Sequence, residues 1–284
     1  MTARGDAPPD RGADLIPPDL CAEAVPPDLR AELVERELVR VVAVLGRPLT
    51  VVALTASTND DARRAALAGA PHGATFLADA QTAGRGRGGH RWHSPPGENL
   101  YLSMVLRLAV SPAAVAPVTL VVGLAVARAV ERRCSSPAGL KWPNDVQIDG
   151  KKIAGVLVEG QIRGDHVQSL IVGVGVNVRT ERFPDDFAAH ATSLRALSSP
   201  DLDRAPLAAE VIREIGDATD LFVRSGLGPF LDELSRRDAL LGRQVEVAGV
   251  RGVGAGIDPE GRLLVRGEGG VIHRVVSGEV HAEG

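Results

Sequence analysis

Two apolar runs meet at Asp149-Gly150, and that junction limits the fold more than any other feature of the sequence. Asp-Gly tolerates positive φ at both central positions of a tight turn, the geometry that matches the twist of antiparallel strands. A hairpin there folds KWPND (141–145) back onto KKIAG (151–155), so Lys141, Asn144, Asp145 and Lys152 share one neighbourhood. Val156 and Val158 read as core. Another run, Ser169 to Val178, reads as a strand that carries Gly173 and Gly175 and ends at Asn177. Glycine weakens a strand interior, so this pair predicts that a ligand or another backbone comes close.

The remaining elements follow from periodicity. Leu49 to Leu54 reads as a strand, and Ser57 or Thr58 is placed to cap a helix that runs to Gly69 with Asp60 and Asp61 in its first turn. Thr75 to Asp79 and Asn99 to Leu108 read as strands, and Ser111-Pro112 opens the most apolar helix, which reads as core. Helical patterns follow over 206–222 and 229–241. Beyond Gly242 the texture changes to short strands with glycine turns, which predicts a small all-β domain. Ahead of these, residues 1–28 repeat Pro-Pro-Asp with little apolar surface and are expected to be disordered; Leu33, Val34, Leu38 and Val41 then recur at helical spacing. The domains expected are therefore a leader (1–28), a mixed α/β sheet domain (29–241) and a β domain (242–284).

The net charge of −4 argues against a general nucleic-acid binder. No apolar run reads as long and charge-free enough to span a bilayer, and the polar start lacks a signal-peptide core, so no membrane role is expected and the compartment is read as cytoplasmic. Cys21 and Cys134 form no metal or redox spacing, and no metal cluster is expected.

Chemistry concentrates in QTAGRGRGGHRW, residues 81–92. Four glycines and an alanine surround Arg85, Arg87 and Arg91, beside one of only two tryptophans. Glycine lets backbone amides approach a ligand closely, and guanidinium forks suit carboxylate and phosphate. Between two strands this loop is anchored at both ends and suits a lid. Together with the lysines and asparagines of 141–152, it predicts a site that brings two anions together, as in activation of a carboxylate by ATP. The barrier there is repulsion and positioning, and fixed cations lower it. A closing lid shields the acyl-adenylate from water.

STND, QTAGRGRGGHRW, GENLYLSMVL, KWPNDV, KKIAGVLVEG and GVGVNV, in this order from about Leu49 onward, resemble the biotin protein ligases. The resemblance implies biotin and ATP as substrates, with magnesium, giving biotinyl-5′-AMP and then transfer to a lysine of the biotin carboxyl-carrier protein domain of a carboxylase. It implies a mixed α/β sheet domain of the class II aminoacyl-tRNA synthetase type and a small SH3-like C-terminal domain. By motif, Ser57, Thr58, Asn59, Gln81, Arg85, Gly86, Arg87, Lys152 and Gly155 would hold biotin. Arg87, His90, Arg91, Trp92, Lys141, Asn144 and Asn177 would hold the nucleotide and its magnesium. Lys152 and Arg87 would stabilise the transition state, and Asp145 would orient or deprotonate the acceptor lysine.

One position departs from the family pattern GRGRxGRxW: His90 replaces the later arginine. A neutral imidazole does not replace a bidentate guanidinium, so either Arg91 takes over or the nucleotide is held more weakly. The alternatives are a lipoate- or octanoate-protein ligase, whose Arg/Gly arrangement differs and which would lack KWPND, and a biotin-binding sensor with impaired catalysis. A DNA-binding repressor is not expected, because one helix is too little for a helix-turn-helix domain. A homodimer is left open, through a sheet edge near GVGVNV.

Overall fold

The structure is a computed structural model that describes residues 25–134, 136–197 and 202–282. Seven strands form one sheet: β1 (Leu49–Thr55), β2 (Thr75–Gln81), β3 (Leu100–Leu106), β4 (Gly139–Lys141), β5 (Asp145–Ile148), β6 (Lys151–Arg163) and β7 (His166–Val176). Their order is β1-β2-β3-β7-β6-β5-β4. Only β1 and β2 are parallel, as they are joined through the helix α2 (Thr58–Leu67); every other neighbouring pair is antiparallel. The Asp149-Gly150 turn forms as expected, with φ of 50° and 74°.

Side chains alternate across a strand, and here the alternation separates core from site. Leu100, Leu102, Met104 and Leu106 of β3 and Val172, Val174 and Val176 of β7 enter the main core with the helices α1 (Ala31–Arg40), α3 (Val115–Glu131) and α6 (Arg204–Ser225). Full burial of such a side chain contributes about 1.5–3 kcal/mol. On the opposite face α2 packs its alanines Ala62, Ala65 and Ala66 against Phe76, Val105 and Ile171, and the rest of that face stays open.

After two single-turn helices, α4 (Asp185–Ala188) and α5 (Leu194–Leu197), come α6 and α7 (Leu231–Arg237). A second sheet of five antiparallel strands follows: β8 (Gln244–Val247), β9 (Val250–Ile257), β10 (Leu263–Arg266), β11 (Ile272–Val275) and β12 (Val280–Ala282), ordered β11-β10-β9-β8-β12. Trp142 ties the sheets together, donating its indole N–H to the Gly261 carbonyl at 3.0 Å.

Five expectations are corrected. The strand carrying GVGVNV is no edge: β7 is paired on both sides, to β3 and β6, and the outer strands are β1 and β4. Pro112–Glu131 does meet the length and composition of a membrane span, with a mean hydropathy of 2.0; 67% of it is buried inside the protein because it packs on the sheet and α6. Neither Ser57 nor Thr58 caps α2 through its side chain. Gln81 supplies the cap from β2, its Oε1 accepting the Thr58 N–H at 2.9 Å. The helix expected over 229–241 is confined to a short 3-10 turn and α7, since the chain turns extended at Asp238. The leader was expected to be disordered through Asp28; residues 1–24 lie outside the described residues, but Pro27–Leu29 form a 3-10 turn.

Asp28 is anchored by charge. Arg204 is fully buried and donates to both Asp28 oxygens at 2.9 Å, to Asp79 at 2.6 Å and to the Asn99 carbonyl at 3.2 Å. Arg179 adds a second partner for Asp28 at 2.9 Å. Burial alone would push the Asp28 carboxyl up, but the hydrogen bond and charge of Arg204, with Arg179, outweigh it and hold it below its ordinary value. Asp79 also accepts the Gly97 N–H at 3.0 Å, so the network fixes both feet of the segment between β2 and β3.

Candidate functional site

The open face of the sheet is the floor of a cleft of about 910 Å³, within the range of small-molecule sites. Its floor is a grid set by register: Tyr101, Gly175 and Gly155 side by side, then Ser103, Gly173 and Leu157. The two strand glycines make room, though for side chains of this chain rather than for another backbone. A Cβ at Gly175 would come within 2.5 Å of Trp92 Nε1, and one at Gly173 within 2.8 Å of Asn59 Cγ. Burial pushes the Tyr101 phenol well above its ordinary value, so it stays a neutral donor to the Pro95 carbonyl at 3.0 Å.

Lys152 reaches the cleft because of a bulge. Val146 pairs with Ala154 but Gln147 pairs with Lys152, so Ile153 is an extra residue in β6. Without it, Lys152 and Gly155, three apart, would face opposite ways. With it, both face the cleft: a Cβ at Gly155 would lie 3.2 Å from Lys152 Cε. Lys152 Nζ pairs with Asp145 Oδ1 at 2.6 Å and lies 5.2 Å from the centre of the Trp92 ring. Hydrogen bonds to the His190 carbonyl and from the Thr192 N–H hold its backbone.

The Arg/Gly segment is a hairpin of its own. Gly86 N–H donates to the His90 carbonyl and Trp92 N–H to the Gly84 carbonyl, with Gly88 and Gly89 at φ of 69° and 83° in the turn. Its arginines are already engaged. Arg85 pairs with Asp60 at 2.7 Å and Glu159 at 3.3 Å, Arg87 donates to the Gly278 carbonyl at 2.8 Å, and Arg91 donates to the Thr82 carbonyl at 3.1 Å. Trp92 lies on Gly155 and Gly175, and its buried indole N–H has no hydrogen-bond partner among the described residues. His90 is exposed and sits 3.7 Å from Glu279.

All the residues predicted from the sequence line this one cleft: Ser57, Thr58, Asn59, Gln81, Arg85, Gly86, Arg87, His90, Arg91, Trp92, Lys141, Asn144, Asp145, Lys152, Gly155 and Asn177. The Asn144 amide donates to the Val156 carbonyl at 2.9 Å, and that of Asn177 to the Thr192 carbonyl at 3.0 Å, which leaves their Oδ1 atoms as acceptors for a ligand. Sequence reasoning missed two parts of the wall, Phe183 and Phe187 with His190 and Ser277 to Val280 before and within β12, and two residues behind it, Ser103 and Glu159, which hydrogen-bond to Asn59. Period-two alternation could have found Ser103, which shares the site face of β3 with Tyr101. The others depend on how distant segments fold over the cleft.

The sequence profile of the Biotin/lipoate A/B protein ligase family matches residues 51–177, and that of the Biotin protein ligase C terminal domain matches residues 240–281. Over 229 residues the chain is 34% identical to the biotin–[acetyl-CoA-carboxylase] ligase of Mycobacterium tuberculosis, covering 77% of this chain and 83% of that one. The chain belongs to the biotin protein ligase family.

It is also 34% identical over 212 residues to the bifunctional ligase/repressor BirA of Escherichia coli, an alignment covering 73% of this chain and 66% of that one. This chain thus spans just under two thirds of that relative's length. Among solved structures, the biotin protein ligase of Aquifex aeolicus in complex with biotin and ATP superposes with a TM-score of 0.71 at 31% identity, covering 82% of this chain and 97% of that one. The fold is accordingly the family's mixed α/β sheet followed by an antiparallel C-terminal sheet of SH3-like type.

Proposed function

We propose that this chain activates biotin with ATP to biotinyl-5′-AMP and transfers the biotinyl group to a lysine of a biotin carboxyl-carrier protein, with residues 29–241 holding both substrates and 242–284 closing the mouth. The observation that carries the reading is the gathering of Thr58, Asn59, Gln81, Arg85, Arg87 and Lys152 over one glycine floor, in a chain related to a protein solved with biotin and ATP. In the first step a biotin carboxylate oxygen attacks the α-phosphorus and pyrophosphate leaves. In the second the lysine amine attacks the acyl carbon and AMP leaves.

Lys152 is the cation placed to take both the biotin carboxylate and the α-phosphate, once it exchanges Asp145 for them. Released, the Asp145 carboxylate is free to accept a proton from the incoming amine. Arg87 is assigned to the phosphates and Arg85 to biotin, each leaving its present partner on ligand binding. Trp92, with its unpartnered N–H, is the wall between the two substrates. Among the described residues no group of three or more carboxylate, imidazole or thiolate side chains gathers to cage a metal. The Asn144 and Asn177 oxygens would instead face a magnesium ion bound with the nucleotide, which would neutralise phosphate charge there. Cytoplasmic location follows the expected carrier protein.

Biotin-dependent exchange of pyrophosphate into ATP by the purified chain, beside a lipoate control, tests the reading. Exchange with biotin alone, followed by a mass increase of a carrier domain by one biotinyl group, is expected. Exchange with lipoate only, or with neither acid, overturns it.

A further inference from the structure

Glu159 follows the KKIAG motif on β6 and takes no part in the roles assigned above, yet two site residues, Asn59 and Arg85, converge on it together with Arg63 of α2. Its Oε2 accepts a hydrogen bond from Asn59 Nδ2 at 2.8 Å, its Oε1 accepts one from Arg63 at 2.6 Å, and Arg85 approaches Oε2 at 3.3 Å. Asn59 is 5% exposed and lies against Gly173, where a side chain at 173 would displace it. At its other end the fully buried Ser103 donates to Asn59 Oδ1 at 2.6 Å.

The chemistry of these partners fixes the amide. A carboxylate is acceptor-only, so only the NH2 end of Asn59 can face Glu159, while a serine hydroxyl accommodates either end of an amide. Glu159, and not Ser103, therefore decides which way the amide lies. With one N–H spent on Glu159, the second N–H is what Asn59 can offer to a ligand in the cleft. A reversed amide would set a carbonyl against an acceptor on the ligand, and leave that acceptor without a partner.

We propose that Glu159 is a positioning residue for biotin: it fixes the Asn59 amide so that an N–H is presented to an uncharged acceptor on the ligand, the biotin ring carbonyl. Taking biotin as that ligand rests on the ligase reading. Glu159 itself does not touch the ligand; it acts through Asn59, and its pairing with Arg63 holds the carboxylate in place.

The test is equilibrium binding of biotin to the full chain by titration calorimetry, which needs no turnover, with steady-state exchange kinetics alongside. Glu159→Ala is expected to weaken biotin binding roughly 10- to 100-fold. The KM for biotin rises with it, while the KM for ATP and kcat at saturating biotin stay within about twofold. Glu159→Gln, which can pair with either orientation of the amide, gives an intermediate loss and guards against a fold defect in the alanine variant. In an Asn59→Ala background, Glu159→Ala adds nothing further. Independent, multiplying losses from the two sites overturn the proposal, as does a KM for ATP that rises in step with that for biotin, which would place the effect on the Arg/Gly hairpin as a whole and not on Asn59. Wild type that binds biotin without exchange ends the ligase reading and leaves this test standing. Wild type that exchanges, with Glu159→Ala binding biotin normally, ends this proposal alone.

Discussion

Replacing Arg204 by methionine removes the only fully buried guanidinium among the described residues and keeps most of its volume. The side chains left behind are poorly hydrated: Asp28 is 15% exposed and Asp79 8%. Asp28 keeps Arg179 and Asp79 keeps the Gly97 N–H, so neither is abandoned completely. Breaking a buried pair by removing one partner costs about 3–5 kcal/mol, and the surviving partners place Arg204→Met near the lower end. At about 2–4 °C per kcal/mol for a chain of comparable size, the midpoint should fall by roughly 10 °C. Asparagine at 79 can still accept the Gly97 N–H without a charge, so Arg204→Met/Asp79→Asn should recover part of the loss. Urea and thermal unfolding at neutral pH read both values. The pH dependence follows from Asp28, whose carboxyl is held low in the folded chain. Its contribution is complete above the ordinary carboxylate value and is lost as pH falls through the lower folded value. Arg204→Met should therefore flatten the acid limb of the wild-type stability profile. A loss under about 1 kcal/mol, or losses at 204 and 79 that simply add, would refute this account.

Three further outcomes are expected. Lys152→Met should abolish biotin-dependent pyrophosphate exchange with the unfolding midpoint nearly unchanged, since Lys152 is partly exposed and its ion pair, among the described residues, is with Asp145; retained turnover would contradict its role. Gly175→Ala should drive the Trp92 indole off the floor, because the new methyl cannot share the space, and overpacking of this kind costs about 1–3 kcal/mol if the ring stays. Red-shifted tryptophan emission reports the displacement, with the buried Trp142 as a constant background; an unshifted spectrum would mean the floor yields instead. His90→Arg should bring a guanidinium to Glu279 and lower the KM for ATP by drawing the hairpin toward the C-terminal sheet; an unchanged constant would show that Arg91 or the loop backbone already does that work.

Much of the site was legible in the sequence because its signals are local. Asp149-Gly150 needs only its own backbone preferences to make a turn, and the turn alone brings Asp145 near Lys152. The Arg/Gly segment likewise announces an anion site by composition, and Gly173 and Gly175 announce a close approach. The same local reasoning failed at the α2 N-terminus, where the expected hydroxyl cap is replaced by Gln81 from the next strand.

By itself the sequence determined the order of elements, the hairpin, the change of texture near residue 242 and the set of polar groups that face a ligand, since each depends on residues a few positions apart. Only the tertiary structure decided which groups answer to which. The bulge at Ile153 reverses the facing of Lys152, and no periodicity reveals a one-residue register shift between two strands. Glu159 meets Asn59 across 100 positions, and Arg204 meets Asp28 across 176. Such pairs form where burial makes an unpaired charge costly, and burial belongs to the assembled fold.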